Sequence, residues 1–348
     1  MLQWLDKRIK FSAVVDFLGA KTVPRHRHSF WYLFGGLAFF FFVIQLITGM
    51  LLMVYYSPTP DTANESVQFI IKEVPMGWLV RSLHSWSANL MVFCVLVHFF
   101  SSFFMKAYRS PRELLWLSGV LLLFLVLGFG FTGYLLPWDN TAYFATQIGT
   151  EIPRSIPLVG DLIVTLLRGG EFVAEESLKR LFALHVVILP IITLLIVLIH
   201  LILNQVHGTS TPVGVKQINP GIPFYPNYLY RELIAWTIGL IILIWFALLF
   251  PVHLGSKADP FASAPIGIKP EWYFLTLYQT LRFVPATVLG LSSETLVNLG
   301  VMFVGLGLIG VPFLDRSASK DEASPVFTVI GIAAVFYMCI AIAAAYLI

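Results

Sequence analysis

Hydrophobic positions fill long, nearly unbroken runs in this chain, and polar residues collect in the connections between the runs. Seven runs cover residues 31–56, 79–105, 114–136, 181–205, 233–253, 295–314 and 325–348. An α-helix needs about 20 apolar residues to cross the hydrocarbon core of a membrane, which is about 30 Å thick. The pattern therefore predicts an all-α polytopic membrane protein with seven transmembrane helices, numbered here as spans 1 to 7.

The composition agrees with this class and excludes others. Of the 348 residues, 58% are hydrophobic and 12% are charged, and the mean hydropathy is +0.83. A soluble domain of this size would need far more polar surface. The net charge of +3 is too small to indicate nucleic acid as a partner. The two cysteines, Cys94 and Cys339, lie in apolar runs and are expected to be buried thiols rather than a disulfide.

The charges of the connections predict the orientation. The side that carries the N-terminus and the connections after spans 2, 4 and 6 has 13 Lys and Arg and 7 Asp and Glu, while the other side has 9 and 12. Positive residues accumulate on the cytoplasmic, negative side of a membrane. We therefore expect the N-terminus there, in a prokaryotic cytoplasmic membrane, with the mildly amphipathic residues 1–30 at the interface.

Two of the predicted spans each contain two histidines. His84 and His98 in span 2 lie 14 residues apart, and His185 and His200 in span 4 lie 15 apart. Each step is about 21–22 Å along one face of a helix, so His84 can face His185 and His98 can face His200. A single membrane histidine can simply bond a carbonyl, but two matched pairs favour two haem irons, each held from both sides. The other histidines lie outside or at the edges of the spans and are expected to be solvated: His26, His28, His207 and His253.

Glycines in spans 1 and 3 repeat at the interval of the histidines. Gly35 and Gly49 lie 14 residues apart in span 1, and Gly119 and Gly133 lie 14 apart in span 3. Ordinary close packing of small residues between helices is one explanation. The shared interval favours another: Gly35 and Gly119 face the haem of His98 and His200, while Gly49 and Gly133 face the other haem.

Two long connections lie on the side opposite the N-terminus. Residues 137–180 are too long for a simple turn, and Ser155–Gly160 predicts a turn between two short surface helices. The connection after span 5 contains Pro270-Glu271-Trp272-Tyr273 in an apolar context. Glu271 can be a surface acid at the start of a helix, or a buried and therefore functional carboxylate.

These motifs resemble cytochrome b, the core subunit of quinol-oxidising cytochrome bc and bf complexes, over essentially the whole chain. The likeness rests on the two histidine pairs, on Gly133-Tyr134-Leu-Leu-Pro137-Trp138 and on the Pro270–Tyr273 motif. The 15-residue step in span 4 is similar to the bf branch, in which two separate subunits carry the four-helix and three-helix parts. Here the resemblance implies a four-helix di-haem domain at residues 31–210 fused to a three-helix domain at 211–348.

The resemblance implies a quinol:electron-acceptor oxidoreductase that works by a Q-cycle and translocates protons. Its cofactors would be two haem b groups and its substrate a membrane quinol. Glu271 would accept a quinol proton, with Tyr134 and Tyr273 lining the pocket. Arg81 would pair with haem propionates or serve as an interfacial anchor. The implied partners are a Rieske iron–sulfur protein, a cytochrome c-type subunit and the quinone pool, in a homodimeric complex.

Two positions depart from the bf pattern. Leu33 stands where that branch has a cysteine that tethers an extra c-type haem, so no covalent haem is expected there. Gln205 stands where a basic residue is expected after the second histidine of span 4, which affects the quinone site on the N-terminal side. Two other functions fit parts of the sequence. A di-haem anchor that passes electrons between quinone and a dehydrogenase explains the histidines alone, and a haem-free transporter explains only the spans.

Overall fold

The computed structural model describes residues 2–347. Within them, seven helical segments are long and apolar enough to cross a membrane, and these segments confirm the seven predicted spans. They comprise Ser29–Met53, Gly77–Phe104, Glu113–Tyr134, Glu175–His207, Phe224–Leu249, Ser293–Ser319 and Pro325–Leu347.

The helices are numbered in chain order. They are α1 (Leu2–Ile9), α2 (Phe11–Ala20), α3 (Leu33–Met53), α4 (Ala63–Lys72), α5 (Gly77–Phe104), α6 (Glu113–Tyr134), α7 (Asn140–Glu151), α8 (Gly160–Arg168), α9 (Glu175–Ala183), α10 (Leu189–His207), α11 (Leu229–Leu249), α12 (Leu275–Phe283), α13 (Ser293–Leu314), α14 (Arg316–Ser319) and α15 (Pro325–Leu347). Two short antiparallel pairs join β1 (Thr22–Arg25) to β2 (Ile218–Pro223) and β3 (Thr287–Val288) to β4 (Leu291–Ser292).

The bundle that positions the histidines is built from the first four spans. Helix α3 lies along α5, α6 lies along α10, and α11 covers α3 and α5. Large apolar side chains fill the space between α3, α5, α6 and α11, namely Phe41, Phe42, Met91, Val92, Val126 and Leu243. The outward faces remain apolar and exposed, as expected where lipid replaces water.

Span 4 is interrupted where its first histidine lies. A π turn occupies Leu184–Ile188, between α9 and α10. Pro190 lies two residues after the end of this turn. In a regular helix a proline ring clashes with the carbonyl four residues earlier, here that of Val186. A π turn inserts one extra residue and relieves this clash. The 15 residues from His185 to His200 therefore cover about the same rotation as the 14 between His84 and His98.

The bounds of span 5 were predicted wrongly. The predicted run was 233–253, whereas α11 ends at Leu249 and its segment begins at Phe224. The chain leaves the helix at Phe250 because the residue before a proline, here Pro251, is disfavoured in helical conformation. At the other end, Glu232 lies inside the first turns of α11 although its polarity suggested a connection.

The predicted surface helices after span 3 are confirmed as α7 and α8. The connection after span 5 is fixed against the start of α7. The backbone N–H of Asn140 donates to the Ser256 carbonyl at 3.0 Å, and that of Ala258 donates to the Trp138 carbonyl at 2.9 Å. Lys257 adds a bond to Glu65 at 3.1 Å. The two long connections therefore form one layer over the end of the bundle.

Two predictions about burial were wrong. His26 was expected to be solvated, but it is buried and its Nε2 lies 2.5 Å from the Tyr32 hydroxyl, which donates to the Ser210 carbonyl at 2.6 Å. The β1–β2 pair brings these segments together, which the local sequence could not indicate. Cys94 is buried as expected, whereas Cys339 is exposed on the outer face of α15.

Candidate functional site

The histidine nearest each end of span 2 faces a histidine of span 4. The ring centres of His84 and His185 are 6.3 Å apart with the rings inclined at 72°. Those of His98 and His200 are 6.4 Å apart at 78°. The structure thus brings together the two pairs that the sequence indicated, one toward each end of the bundle.

The separation of the rings suits an iron between them. Metal–imidazole nitrogen distances are about 2 Å, so an iron held by two opposed imidazoles separates the ring centres by about 6 to 6.5 Å. Both pairs have this separation without adjustment. A direct hydrogen bond between two rings would bring their nitrogens to about 2.9 Å instead and would leave no room for a metal. The donor set therefore fits haem.

All four predicted glycines lie against these imidazoles. A Cβ atom built on Gly133 would lie 2.6 Å from Cε1 of His185, and one on Gly35 would lie 3.0 Å from Cε1 of His98. The corresponding distances are 3.3 Å from Gly49 to His84 and 3.4 Å from Gly119 to His200. The predicted pairing of glycines with histidines is thus present, and the tightest contact is at His185.

Three hydroxyl residues bond the histidines and were missed from the sequence. Thr48 Oγ1 lies 2.8 Å from Nδ1 of His84, Thr132 Oγ1 lies 3.1 Å from Nδ1 of His185, and Ser118 Oγ lies 2.9 Å from Nδ1 of His200. Each hydroxyl residue directly precedes one of the four glycines. A Ser/Thr-Gly pair at the histidine interval was the signal that could have found them.

The Pro270–Tyr273 motif opens a cavity beside the His84–His185 pair. The cavity has a volume of about 280 Å³ and is lined by Tyr134, Lys269, Pro270, Glu271, Trp272 and Tyr346. Tyr134 follows Gly133 directly in α6, so the cavity and the His185 ring lie against adjacent residues of one helix. The three predicted quinol-site residues are thus grouped, with Tyr273 packed beside this cavity.

Two contacts hold the motif in place. The indole N–H of Trp272 donates to the amide oxygen of Asn89 in α5 at 2.8 Å. The Tyr273 ring packs on Gly130 of α6, where a Cβ atom would lie 2.8 Å from Cε2 of the ring. Sequence reasoning missed Asn89 and Gly130, because both lie outside the motif.

Burial changes the acid–base properties of the loop. It raises the pKa of Glu271 above the ordinary value of 4.5, because the charged carboxylate is desolvated. Burial also raises the pKa of Tyr273, and the charges of Glu271 and Tyr134 act in the same direction. Glu271 is therefore a half-buried group whose proton affinity is increased, beside two phenols.

Arg81 makes contacts that the sequence did not indicate. Its guanidinium donates through Nη1 to the Val252 carbonyl and through Nη2 to the His253 carbonyl, the latter at 3.1 Å. Arg81 therefore ties α5 to the end of span 5. A guanidinium has five N–H donors, so a haem propionate can still be bonded, and that predicted role stays a prediction.

A second carboxylate lies near the other histidine pair. Glu232 of α11 packs its carboxylate on the backbone of Gly36, the neighbour of Gly35. Among the described residues, its buried Oε2 has no hydrogen-bond partner, and neither has the buried indole N–H of Trp236 one turn further along α11. Two unbonded polar atoms thus lie beside the first span at the N-terminal end of the bundle.

This arrangement defines a class: an integral, multi-pass membrane protein whose helical bundle carries two stacked pairs of facing histidines. Two family models match the chain, "Cytochrome b/b6/petB" at residues 19–208 and "Cytochrome b(C-terminal)/b6/petD" at residues 257–347. The chain belongs to the cytochrome b family, and membership implies haem b as the cofactor.

One relative and one solved structure match nearly all of the chain, and a second relative matches 60% of it. A cytochrome bc complex cytochrome b subunit from Chlorobaculum thiosulfatiphilum is 48% identical over 97% of this chain and 78% of its own length. Cytochrome b6 of Gloeobacter violaceus is 42% identical over 60% of this chain and 97% of its own length. A solved structure described as a hyperthermophilic respiratory Complex III matches with a TM-score of 0.88 and 31% identity, over 99% of this chain and 91% of that one.

Proposed function

We propose that this chain oxidises a membrane quinol beside the His84–His185 pair and reduces a quinone near the His98–His200 pair, as the cytochrome b subunit of a bc- or bf-type complex. The observation that carries the proposal is the cavity of Glu271, whose lining residue Tyr134 is adjacent in α6 to the glycine under His185. The proposed proton acceptor and the proposed electron-accepting site therefore both lie against α6.

The four histidines would hold two haem b groups, and bound haem supplies one-electron transfer between its ferrous and ferric states. His84 and His185 would hold one haem, and His98 and His200 would hold the other, each through a ring nitrogen. The four glycines leave room on the helices that face these rings. Arg81, already anchored on carbonyls of the segment after the fifth span, would present its remaining N–H donors to a propionate.

Glu271 would take a proton from quinol on the side opposite the N-terminus. Oxidation of a quinol releases protons, so a carboxylate with an increased proton affinity can act as general base. Tyr134 lines the same cavity, while Tyr273 is fixed on Gly130 and Trp272 on Asn89. These contacts support a rigid pocket that orients the quinol against Glu271.

Glu232 and Trp236 would serve the quinone at the other end. Their unbonded polar atoms lie where a quinone carbonyl could accept from the indole N–H and a carboxyl could donate a proton. Gln205, where a basic residue was expected, is bonded to Lys21, so Lys21 can supply the positive charge at this end.

The charge bias supports the proposed orientation, and the relatives support the proposed partners. We place the N-terminus on the negative side, so that protons leave on the opposite side. The C. thiosulfatiphilum relative is a subunit of a cytochrome bc complex, and the matching structure is a respiratory Complex III. We propose a Rieske protein and a cytochrome c-type subunit as partners in a homodimeric complex, with residues 31–210 and 211–348 as its two domains.

The test is quinol oxidation by the purified complex with Glu271→Gln. This variant keeps the size and hydrogen bonding of the side chain but accepts no proton, and general-base catalysis is worth about 10²–10⁴-fold. We expect at least a several-fold fall in turnover, with both haem signals intact. The control is Glu73→Gln, an exposed carboxylate on the same side of the bundle. Unchanged turnover in Glu271→Gln would show that the carboxylate is structural. Absence of a Rieske protein from the purified complex would favour the alternative function, a di-haem anchor.

A further inference from the structure

We propose that the hydroxyl groups of Thr48, Thr132 and Ser118 are positioning groups that fix the ring proton of three of the four histidines and thereby lower the reduction potentials of the two haems. The proposal rests on the haem binding proposed above and assigns a role to residues outside the ligand set.

Thr48 shows how the hydrogen bond is directed. Its Oγ1 donates its own hydrogen to the Ile44 carbonyl at 2.7 Å. The same oxygen lies 2.8 Å from Nδ1 of His84 and, because its hydrogen is already used, it accepts there. His84 must therefore carry its proton on Nδ1, which leaves the lone pair of Nε2 for a metal.

Thr132 and Ser118 repeat this geometry. Each donates its hydroxyl hydrogen to a carbonyl of its own helix at 2.8 Å. Each therefore accepts from Nδ1 of its histidine, Thr132 from His185 at 3.1 Å and Ser118 from His200 at 2.9 Å. Helices α3 and α6 thus use the same arrangement at three sites: a hydroxyl whose direction is set by the helix backbone and which precedes the glycine beneath the ring.

A hydrogen bond from Nδ1–H increases the basicity of the ligating Nε2. A more basic ligand stabilises the ferric state and lowers the reduction potential. Loss of a hydroxyl should therefore raise the potential of the haem that its histidine holds and leave the other haem unchanged.

The structure predicts that the three hydroxyls are unequal. The carbonyls of Phe129 and Leu115 also lie within reach of the His185 and His200 rings. These two histidines therefore keep an acceptor when the hydroxyl is removed. Removal of the Thr48 hydroxyl should have the largest effect.

The fourth histidine provides an internal comparison. The residue before Gly35 is Phe34, which packs on Phe30 and Trp31. No side-chain hydroxyl within residues 2–347 bonds Nδ1 of His98. Variants of Thr48 and Thr132 should thus act on one haem, and a variant of Ser118 should act on the other.

The experiment is a redox titration of the purified complex, followed at the absorption band of the reduced haems. We expect Thr48→Val to change the reduction equilibrium of one haem about threefold to tenfold. At 59 mV per decade, the reduction potential of that haem should rise by about 30–60 mV. Ser118→Ala should raise the potential of the other haem by less. Thr48→Ser keeps the hydroxyl and should titrate like the unmodified protein.

The matched control is Thr193→Val. Thr193 is a fully buried threonine of α10, and its hydroxyl has no partner within the described part of the chain. The inference is overturned if Thr48→Val titrates like this control, or if Thr48→Ser shifts as far as Thr48→Val. Should Thr48→Val lose haem, retention in Thr48→Ser supports the hydroxyl role and loss in both contradicts it. An unmodified protein without haem would instead overturn the proposed function.

Discussion

Replacement of Gly133 by alanine tests the close approach of helix α6 to His185. The added Cβ atom would lie 2.6 Å from Cε1 and 3.1 Å from Nδ1 of the ring, so the ring or the helix must move. The ring has little freedom, because Thr132 bonds its Nδ1. At Gly119 the same change places Cβ 3.4 Å from Cε1 of His200, which is an ordinary contact.

The two substitutions should therefore differ in their effect on stability. Overpacking costs about 1–3 kcal/mol, whereas Gly→Ala inside a helix stabilises by about 0.5–1 kcal/mol. Gly133→Ala should destabilise the protein by up to about 2 kcal/mol and disturb the His185 haem. Gly119→Ala should be neutral or stabilise by up to about 1 kcal/mol. The control is Gly128→Ala, in the same helix as Gly133. A Cβ atom on Gly128 would have its nearest neighbour at 3.8 Å.

The assay is the haem-to-protein ratio of the purified variants, together with the temperature at which each loses its haem absorption. We expect Gly133→Ala to lose haem at a lower temperature than Gly119→Ala and Gly128→Ala, and only the band of one haem to change. Equal stability and full haem content in Gly133→Ala would refute the close contact. A change confined to the haem of His98 and His200 would refute the pairing of glycines with histidines.

Three further outcomes are expected. His84→Ala and His98→Ala should each reduce the haem content from two toward one per chain or prevent assembly, and a stable variant with both haems would contradict the pairing. Denatured chain should show no haem-linked peroxidase staining, because Leu33 supplies no thiol; staining at the mass of this chain would mean that another residue, such as Cys94, makes the link. Turnover should rise with pH through the raised pKa of Glu271, because proton acceptance needs the carboxylate, and Glu271→Gln should lack that rise.

The raised pKa of Glu271 also predicts the sign of a stability effect. Its pKa in the folded protein lies above that in the unfolded chain. Its contribution to folding stability is therefore fully present below the unfolded pKa and is lost as the pH rises through the folded pKa. Glu271→Gln removes this dependence, so the difference in thermal stability between the two proteins should change with pH over that window. A constant difference would contradict the burial of Glu271.

The spans and the facing histidines could be predicted because both depend on local periodicity. The sequence could not explain why the histidines are 14 residues apart in span 2 but 15 apart in span 4. In an ideal helix the extra residue would turn the second histidine of span 4 by about 100° more. The structure explains the difference through the π turn before Pro190. Proline was visible in the sequence, but it can produce a kink or a break as well as a π turn.

The rest of the candidate site depends on contacts between distant segments. The bonds of Arg81 to the end of span 5 and of Trp272 to Asn89 join residues more than 170 positions apart. Nothing in the local pattern of either segment indicates its partner. The hydroxyls of Thr48, Thr132 and Ser118 are an intermediate case, because their spacing was visible but their direction required the helix backbone.

The most direct test of the central claim, that two facing histidine pairs hold two haems, is a redox-titrated optical spectrum of the purified protein with haem and protein quantified together. We expect two b-type haems per chain that titrate as two components, with one lost in His185→Ala and the other in His200→Ala. A protein without haem, or with a single haem that survives both substitutions, would contradict it.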